Sequence, residues 1–360
     1  MGTTAFLIAD FLQIDYVNVV LAAAIPAALY FIGIYLQVDA IALRRGLLGL
    51  KRSELPALRP VLAAGWIYLF PLALLIWLMV AHGYQPTTAG IYASLCLLLM
   101  TLVKFRRLPS PAQVLAALSG SGESLLTLIV IGGGAGVAIG VLTLSGLGFQ
   151  LAAALASVAE HGGLFVTLLV TAVVCIILGM GMPTSAVYIV LSIVLAPSIV
   201  NIGVVPLAAH LFLFYFGMLS MVTPPVAVAS YVAAAMAGAS MWETSVVALR
   251  LAAVGFFVPF LWVYNPALIG VGSVFEIGLA ALSAVAGSVL LALGLAQMGK
   301  GLAVNIGLGA AGIAVGTATI WLGRDDPAVI FVALAAMVLA WYVRQRTIRR
   351  AVAVTELLPE

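Results

Sequence analysis

Two short runs hold the residues whose types and spacing could do chemistry. One is Gly179-Met180-Gly181-Met182-Pro183-Thr184-Ser185; the other is Ser220-Met221-Val222-Thr223-Pro224-Pro225. Both interrupt long apolar stretches. A proline inside a helix removes an amide donor and frees the carbonyl one turn earlier. Freed carbonyls beside the hydroxyls of Thr184, Ser185, Ser220 and Thr223 would make a cage of neutral oxygens. Such a cage suits Na⁺, which needs oxygen ligands but no formal carboxylate. Helix N-termini beyond each break, from 185 and from 226, would turn positive dipole ends toward an anionic substrate. The plainer reading makes the Thr-Pro-Pro run a kink and the glycines packing aids. Two breaks in neighbouring segments, both with hydroxyls, favour a site over that reading.

The elements that position these runs follow from composition. The chain has 360 residues, of which 65% are hydrophobic and only 8% charged. A soluble domain of this size needs about 25% charged residues to solvate its surface. Most of this surface must therefore face lipid, which excludes a soluble enzyme, a nucleic-acid-binding domain and a disordered chain. The net charge of +3 is too small to imply a polyanionic partner. Cys96 and Cys175 lie in apolar runs with no metal or disulfide spacing, and read as buried inert thiols.

Apolar runs long enough for a ~30 Å hydrocarbon layer occur at about 17–37, 61–81, 87–103, 124–143, 205–222, 245–264, 275–296, 301–322 and 327–343. Two shorter ones, 163–179 and 185–199, flank the first break. None alternates polar and apolar residues as barrel strands do. The expected class is an all-α polytopic membrane protein. Basic clusters at Arg44–Arg59, Lys104–Arg107 and Arg344–Arg350 belong on the cytoplasmic side by the positive-inside rule, which also puts the C-terminus there. Counting spans inward from both ends leaves 163–199 with both ends on the outer side. A re-entrant hairpin fits this parity, and so do two full antiparallel spans; the uncharged Gly- and Pro-rich turn favours the hairpin. The stretch 205–239 then crosses once, interrupted at Thr223-Pro224-Pro225.

Residues 1–39 can be laid on 227–265 at an offset of 226, with Ala9, Val20, Ala22, Ala27 and Phe31 meeting identical residues. The two segments would run in opposite directions, as inverted repeats predict. Pro109 and Pro111 with Val114, Leu115 and Leu118 mark 108–122 as an interfacial helix tying two bundles together. Gly132, Gly136 and Gly140 form a packing stripe. His210, alone in an apolar run, reads either as a hydrogen-bonded packing residue or as a proton carrier. No HExxH or GxSxG occurs, so no enzyme is indicated.

The set Gly179–Tyr188, Pro206–Phe212, Phe214-Tyr215-Phe216 and Thr223–Ala227 resembles the large membrane subunit of TRAP transporters, in the form of the fused permease of the TAXI subfamily. The likeness covers about 1–270. It implies an elevator-type transporter with inverted repeats, re-entrant hairpins and broken helices, in the bacterial inner membrane. It implies sodium-driven import of small organic anions such as carboxylates, delivered by a periplasmic TAXI-type binding protein. Na⁺ is then a coupling ion and no other cofactor is expected. Gly181, Thr184, Ser185, Ser220, Thr223 and Pro224 would line one sodium site and the adjoining substrate site. Residues 1–43 would be the end of the first repeat, 44–60 a basic cytoplasmic loop, and 61–122 scaffold spans and the arm. Residues 123–270 would be the second repeat, with hairpin 163–199 and broken helix 205–239, and 271–360 extra spans with a basic tail.

The first hairpin, the first Pro-Pro break and the small subunit, separate or fused, would precede Met1 in such a permease. The expectation is an N-terminally truncated chain that does not transport alone. Competing readings are a channel or uniporter of another family, and a non-transporting membrane scaffold.

Overall fold

The computed structural model describes residues 4–45, 47, 57–84, 86–105, 110–296 and 335. The expected spans 301–322 and 327–343 lie outside the described residues. Helices run α1 Thr4–Leu12, α2 Tyr16–Arg44, α3 Leu58–His82, α4 Pro86–Phe105, α5 Pro111–Ser145, α6 Leu147–Gly179 and α7 Thr184–Val194. They continue as α8 Ala196–Asn201, α9 Pro206–Leu219, α10 Val228–Ala237, α11 Met241–Leu251, α12 Ala253–Tyr264 and α13 Val274–Ala296, with a 3₁₀ turn at Pro266–Ile269. No strand occurs among the described residues. Among the described residues, six helical stretches are long and apolar enough to cross a membrane. The chain is an all-α, multi-pass membrane protein.

Local chemistry sets many of the ends. Gly83 takes the left-handed conformation (φ +63°) and stops α3. Ser240 caps α11 by accepting the Glu243 amide at 3.4 Å. Pro206 opens α9, where a missing amide costs nothing. Other boundaries differ from the sequence expectation. The arm 108–122 and the span 124–143 run together in one helix, α5, with no break between them. Segment 163–179 is the second half of α6, which bends at Gly163 (φ 69°, ψ 179°). Segment 185–199 divides at Leu195 and segment 245–264 at Ala252.

One buried core gathers α1, α2, α6–α9, α12 and α13, with Tyr188, Phe212, Phe216 and Trp262 as its largest enclosed side chains. Helices α3 and α4 pack mainly on each other, around Leu78, Met79 and Ala89. Their other faces expose Trp66, Tyr68, Phe70 and Tyr92, which suits helices bordered by lipid. α13 behaves differently. Half of its apolar window is buried, against 11% for α4, and its main neighbour is α2. Ala280, Ala284, Ser288 and Ala292 recur every fourth residue on it and all are buried. A stripe of small residues lets two helix backbones approach closely.

Two helix ends share a geometry at an offset one residue away from that expected for the repeat. Gln13 and Gly238 each end a short helix in the left-handed region, at φ 52° and 60°. Asp15 and Ser240 then start the next helix with nearly equal angles, φ −62°, ψ 136° and φ −64°, ψ 127°. Both pairs stand 225 apart (238 less 13, 240 less 15) rather than 226. At this offset buried Ala5 and Ala9 meet buried Ser230 and Ala234, Phe6 meets Tyr231, and Phe31 meets Phe256. Pro26 inside α2 falls opposite Leu251, beside the α11–α12 break.

Candidate functional site

The first break is built by its punctuating residues. α6 ends at Gly179, Met180 is extended (φ −63°, ψ 125°), and Gly181 turns left-handed at φ +76°. Pro183 (φ −62°, ψ 150°) then presets the entry to α7 at Thr184. Gly181 is exposed, and a side chain there would meet nothing within 4 Å. Thr184 and Ser185 are half-buried in the first turn of α7.

The second break is more tightly stitched. The amides of Met221, Val222 and Thr223 donate to the carbonyls of Met218, Leu219 and Ser220 at 3.1–3.3 Å. A cis Pro224–Pro225 bond follows. Ala227 is fully buried at φ 29°, a region rare for alanine. Its amide donates to the Thr223 carbonyl (3.1 Å), the Ala229 amide to the Met221 carbonyl (3.1 Å), and the Tyr231 hydroxyl to the Pro225 carbonyl. In an unbroken helix Pro224 and Pro225 would orphan the carbonyls of Ser220 and Met221. Here other amides occupy them, so the freed carbonyls expected from the sequence have only their second lone pairs to offer.

The hydroxyls have a definite orientation. Ser220 Oγ donates to the Gly217 carbonyl at 2.6 Å, and Thr223 Oγ1 donates to the Leu219 carbonyl at 2.7 Å. Each spends its proton one turn back along its own helix. What remains on each oxygen is lone pairs, which accept a hydrogen bond or ligate a cation.

Glycines bring the two breaks together. A Cβ on Gly179 would stand 2.7 Å from the Gly217 carbonyl and 2.9 Å from Ser220 Oγ. A Cβ on Gly217 would stand 2.5 Å from Val187 Cγ1 in α7. Both arms of the hairpin thus press on the last turns of α9. Of the six residues singled out from the sequence, Ser220 is the one at this junction, and it is 1% exposed. Thr223 and Pro224 follow within a turn and are half-buried. Gly181 stands clear.

Several contributors have little sequence signal. Gly179 and Gly217 matter for a contact that only the fold creates. Gln37, fully buried in α2, donates from Nε2 to Gly33 (3.3 Å) and across to the Leu251 carbonyl (2.9 Å), at the end of α11. An amide deep in a mostly apolar 29-residue helix was the available clue. Tyr188 pairs with His210 at 2.7 Å, so His210 is hydrogen-bonded. An open cleft of about 1110 Å³ also lies where the α1–α2 turn faces the α3–α4 turn; Asp10, Asp15 and Tyr84 help line it. Cys175 is buried and Cys96 half-buried, both unbonded.

Residues 1–277 match the family described as "Tripartite ATP-independent periplasmic transporter, DctM component". The chain belongs to this family. No curated protein and no solved structure matches it. DctM proteins are the large permease components of TRAP transporters, a transporter family and not an enzyme family. Membership implies a periplasmic binding protein as partner and a substrate to be moved. The match ends within the first turn of α13, and both breaks of this DctM chain fall inside it.

Proposed function

We propose that this DctM-family chain is the permease component of a sodium-driven importer of small organic anions, carboxylates in particular, in the bacterial inner membrane. A TAXI-type binding protein delivers the substrate on the periplasmic side, a small permease subunit or domain completes the scaffold, and the C-terminus is cytoplasmic. The observation that carries this reading is the junction of Gly179 with Ser220. It sets the end of the hairpin against hydroxyls whose protons are already spent, leaving oxygen lone pairs and no formal charge.

Na⁺ bound there would be ligated by Ser220, Thr223 and the second lone pairs of nearby carbonyls, with Thr184 and Ser185 across the turn and Gly181 and Pro224 shaping it. The N-termini of α7 and α10 supply the complement for a carboxylate. Their N-cap residues, Pro183 and Ala227, make no side-chain cap; in α10 the Met221 carbonyl already takes the Ala229 amide, so the other first-turn amides would meet the substrate. Eleven residues of α7 extend only ~16 Å, half of a ~30 Å hydrocarbon layer, as a re-entrant arm requires. The shared packing of the two arms on α9 makes hairpin and broken helix one body, the part an elevator mechanism would carry across the membrane.

The test is uptake into vesicles by the permease reconstituted with its partner subunits and binding protein. Thr223→Ala should raise the sodium concentration for half-maximal uptake severalfold, and Thr223→Ser should restore it. Sodium activation identical in all three proteins would remove Thr223 from the site. Uptake driven equally well without sodium would remove the coupling ion.

A further inference from the structure

Where α1, α7 and α9 meet, Phe11 and Phe214 flank a buried hydrogen bond between Tyr188 and His210. Tyr188 lies one turn beyond Thr184 on the hairpin's second arm and is fully buried. Its hydroxyl is 2.7 Å from Nδ1 of His210, on the second turn of α9. Phe11, near the end of α1, stands edge-on to Tyr188 (5.9 Å between ring centres, 89°) and 6.4 Å from His210. Phe214 meets Tyr188 from α9 at 6.2 Å and 82°. α1, with its left-handed end at Gln13, is the counterpart of α10; the other three rings lie on the hairpin and on the helix that precedes α10. The cluster therefore joins α1 to the hairpin and to α9.

Packing alone would be served by phenylalanine and leucine. A phenol and an imidazole in this apolar setting each cost desolvation, which only their mutual bond offsets. The bond has one geometry. Either the phenol donates to Nδ1 or Nδ1–H donates to the phenol oxygen, and both require the hairpin arm to sit at one height along α9. The contact of Gly217 with Val187 and Leu191 on the same arm is apolar and sets how closely the arm approaches α9, without the donor–acceptor match that fixes one height.

We propose that Tyr188 and His210 are positioning residues: their hydrogen bond latches the hairpin's second arm to α9 and so fixes the tip, Gly181–Ser185, over the break at Ser220–Pro225. The role of the tip rests on the functional reading above; the latch itself is a statement about hairpin position.

The experiment therefore reads position first. Met182 lies in the tip and is partly buried, so Met182→Cys in the full protein, lacking Cys96 (Cys96→Ser), reports tip exposure through its rate of maleimide labelling in membranes. Adding Tyr188→Phe should raise that rate severalfold, and so should His210→Leu. His210→Asn places an amide near the Nδ1 position and should keep the rate within about twofold of the parent. In uptake assays with Met182 intact, Tyr188→Phe should raise KM for substrate or sodium more than it lowers kcat. Labelling unchanged in Tyr188→Phe, or equally fast in His210→Asn and His210→Leu, overturns the latch. If His210→Leu does not accumulate in membranes, Tyr188→Phe against His210→Asn decides the matter alone. Labelling that responds as expected while Thr223→Ala leaves sodium activation unchanged would retain the latch and refute the sodium site.

Discussion

The carbonyl oxygen of Gly217 lies 2.7 Å from where the Cβ of an alanine at position 179 would stand. Hairpin and broken helix meet there backbone to backbone. Gly179→Ala should therefore cost about 1–3 kcal/mol by overpacking, because the obstructing atom is main chain. Gly217→Ala should cost about as much, because Val187, β-branched and buried on α7, cannot turn its Cγ1 aside as Leu191 can its Cδ1. Thermal unfolding of the purified permease in detergent checks both; either variant as stable as the parent would show that its contact is not a tight one.

Gln37→Leu keeps the bulk of a buried side chain and removes its donors. The Leu251 carbonyl, already outside the helical ladder at the α11–α12 break, would lose its 2.9 Å partner. The expected destabilisation is about 1–3 kcal/mol, the cost of an unpaired buried polar group. The same melting experiment reads it, and a Gln37→Leu protein as stable as the parent would show that the break stands without this bridge.

α2 and α12 cross at Gly33, where an added Cβ would come 2.6 Å from Val254 Cγ2. Gly33→Ala alone should destabilise, and Val254→Ala alone should leave a small void costing about 1–3 kcal/mol. Combined, the two changes should fit together, giving a coupling of about 1 kcal/mol or more between them. Strict additivity in a double-mutant cycle would place the crossing elsewhere.

Ala284 is 2% exposed in the small-residue stripe of α13. Ala284→Leu should push α13 off α2 and lower the melting temperature by several degrees, whereas Leu282→Ala, on the exposed side at 50%, should change it little. Equal effects at both positions would mean the stripe is not the contact.

Much of this architecture can be read from the sequence because glycine and proline punctuate it. Gly179, Gly181 and Pro183 bound the hairpin turn, and Pro224 and Pro225 mark the second break, since both residue types act on the chain locally. The divisions at Leu195 and Ala252 carry no such mark. Ala252 breaks a helix where Gln37 of α2 donates to the Leu251 carbonyl, a contact more than 200 residues away. The helix ends coincide one residue away from the offset read for the repeat, because alanine-rich segments yield chance identities at neighbouring offsets, while left-handed ends such as Gln13 and Gly238 appear only in the backbone. The hydroxyl residues of the candidate site were visible as types. That Ser220 and Thr223 turn their protons back onto Gly217 and Leu219 was not, because the same residues in a straight helix could point either way. The Tyr188–His210 bond joins two helices, and each residue alone reads as an isolated polar group.

The stripe on α13 also bears on how this protein should be cut. The family match stops at residue 277, three residues after α13 begins at Val274. A boundary drawn there would sever the helix in its first turn and strip a half-buried span from α2, exposing a surface shaped for close backbone contact. Shortened versions intended for biochemistry should end beyond Ala296, which keeps both the 3₁₀ turn and α13 on α2.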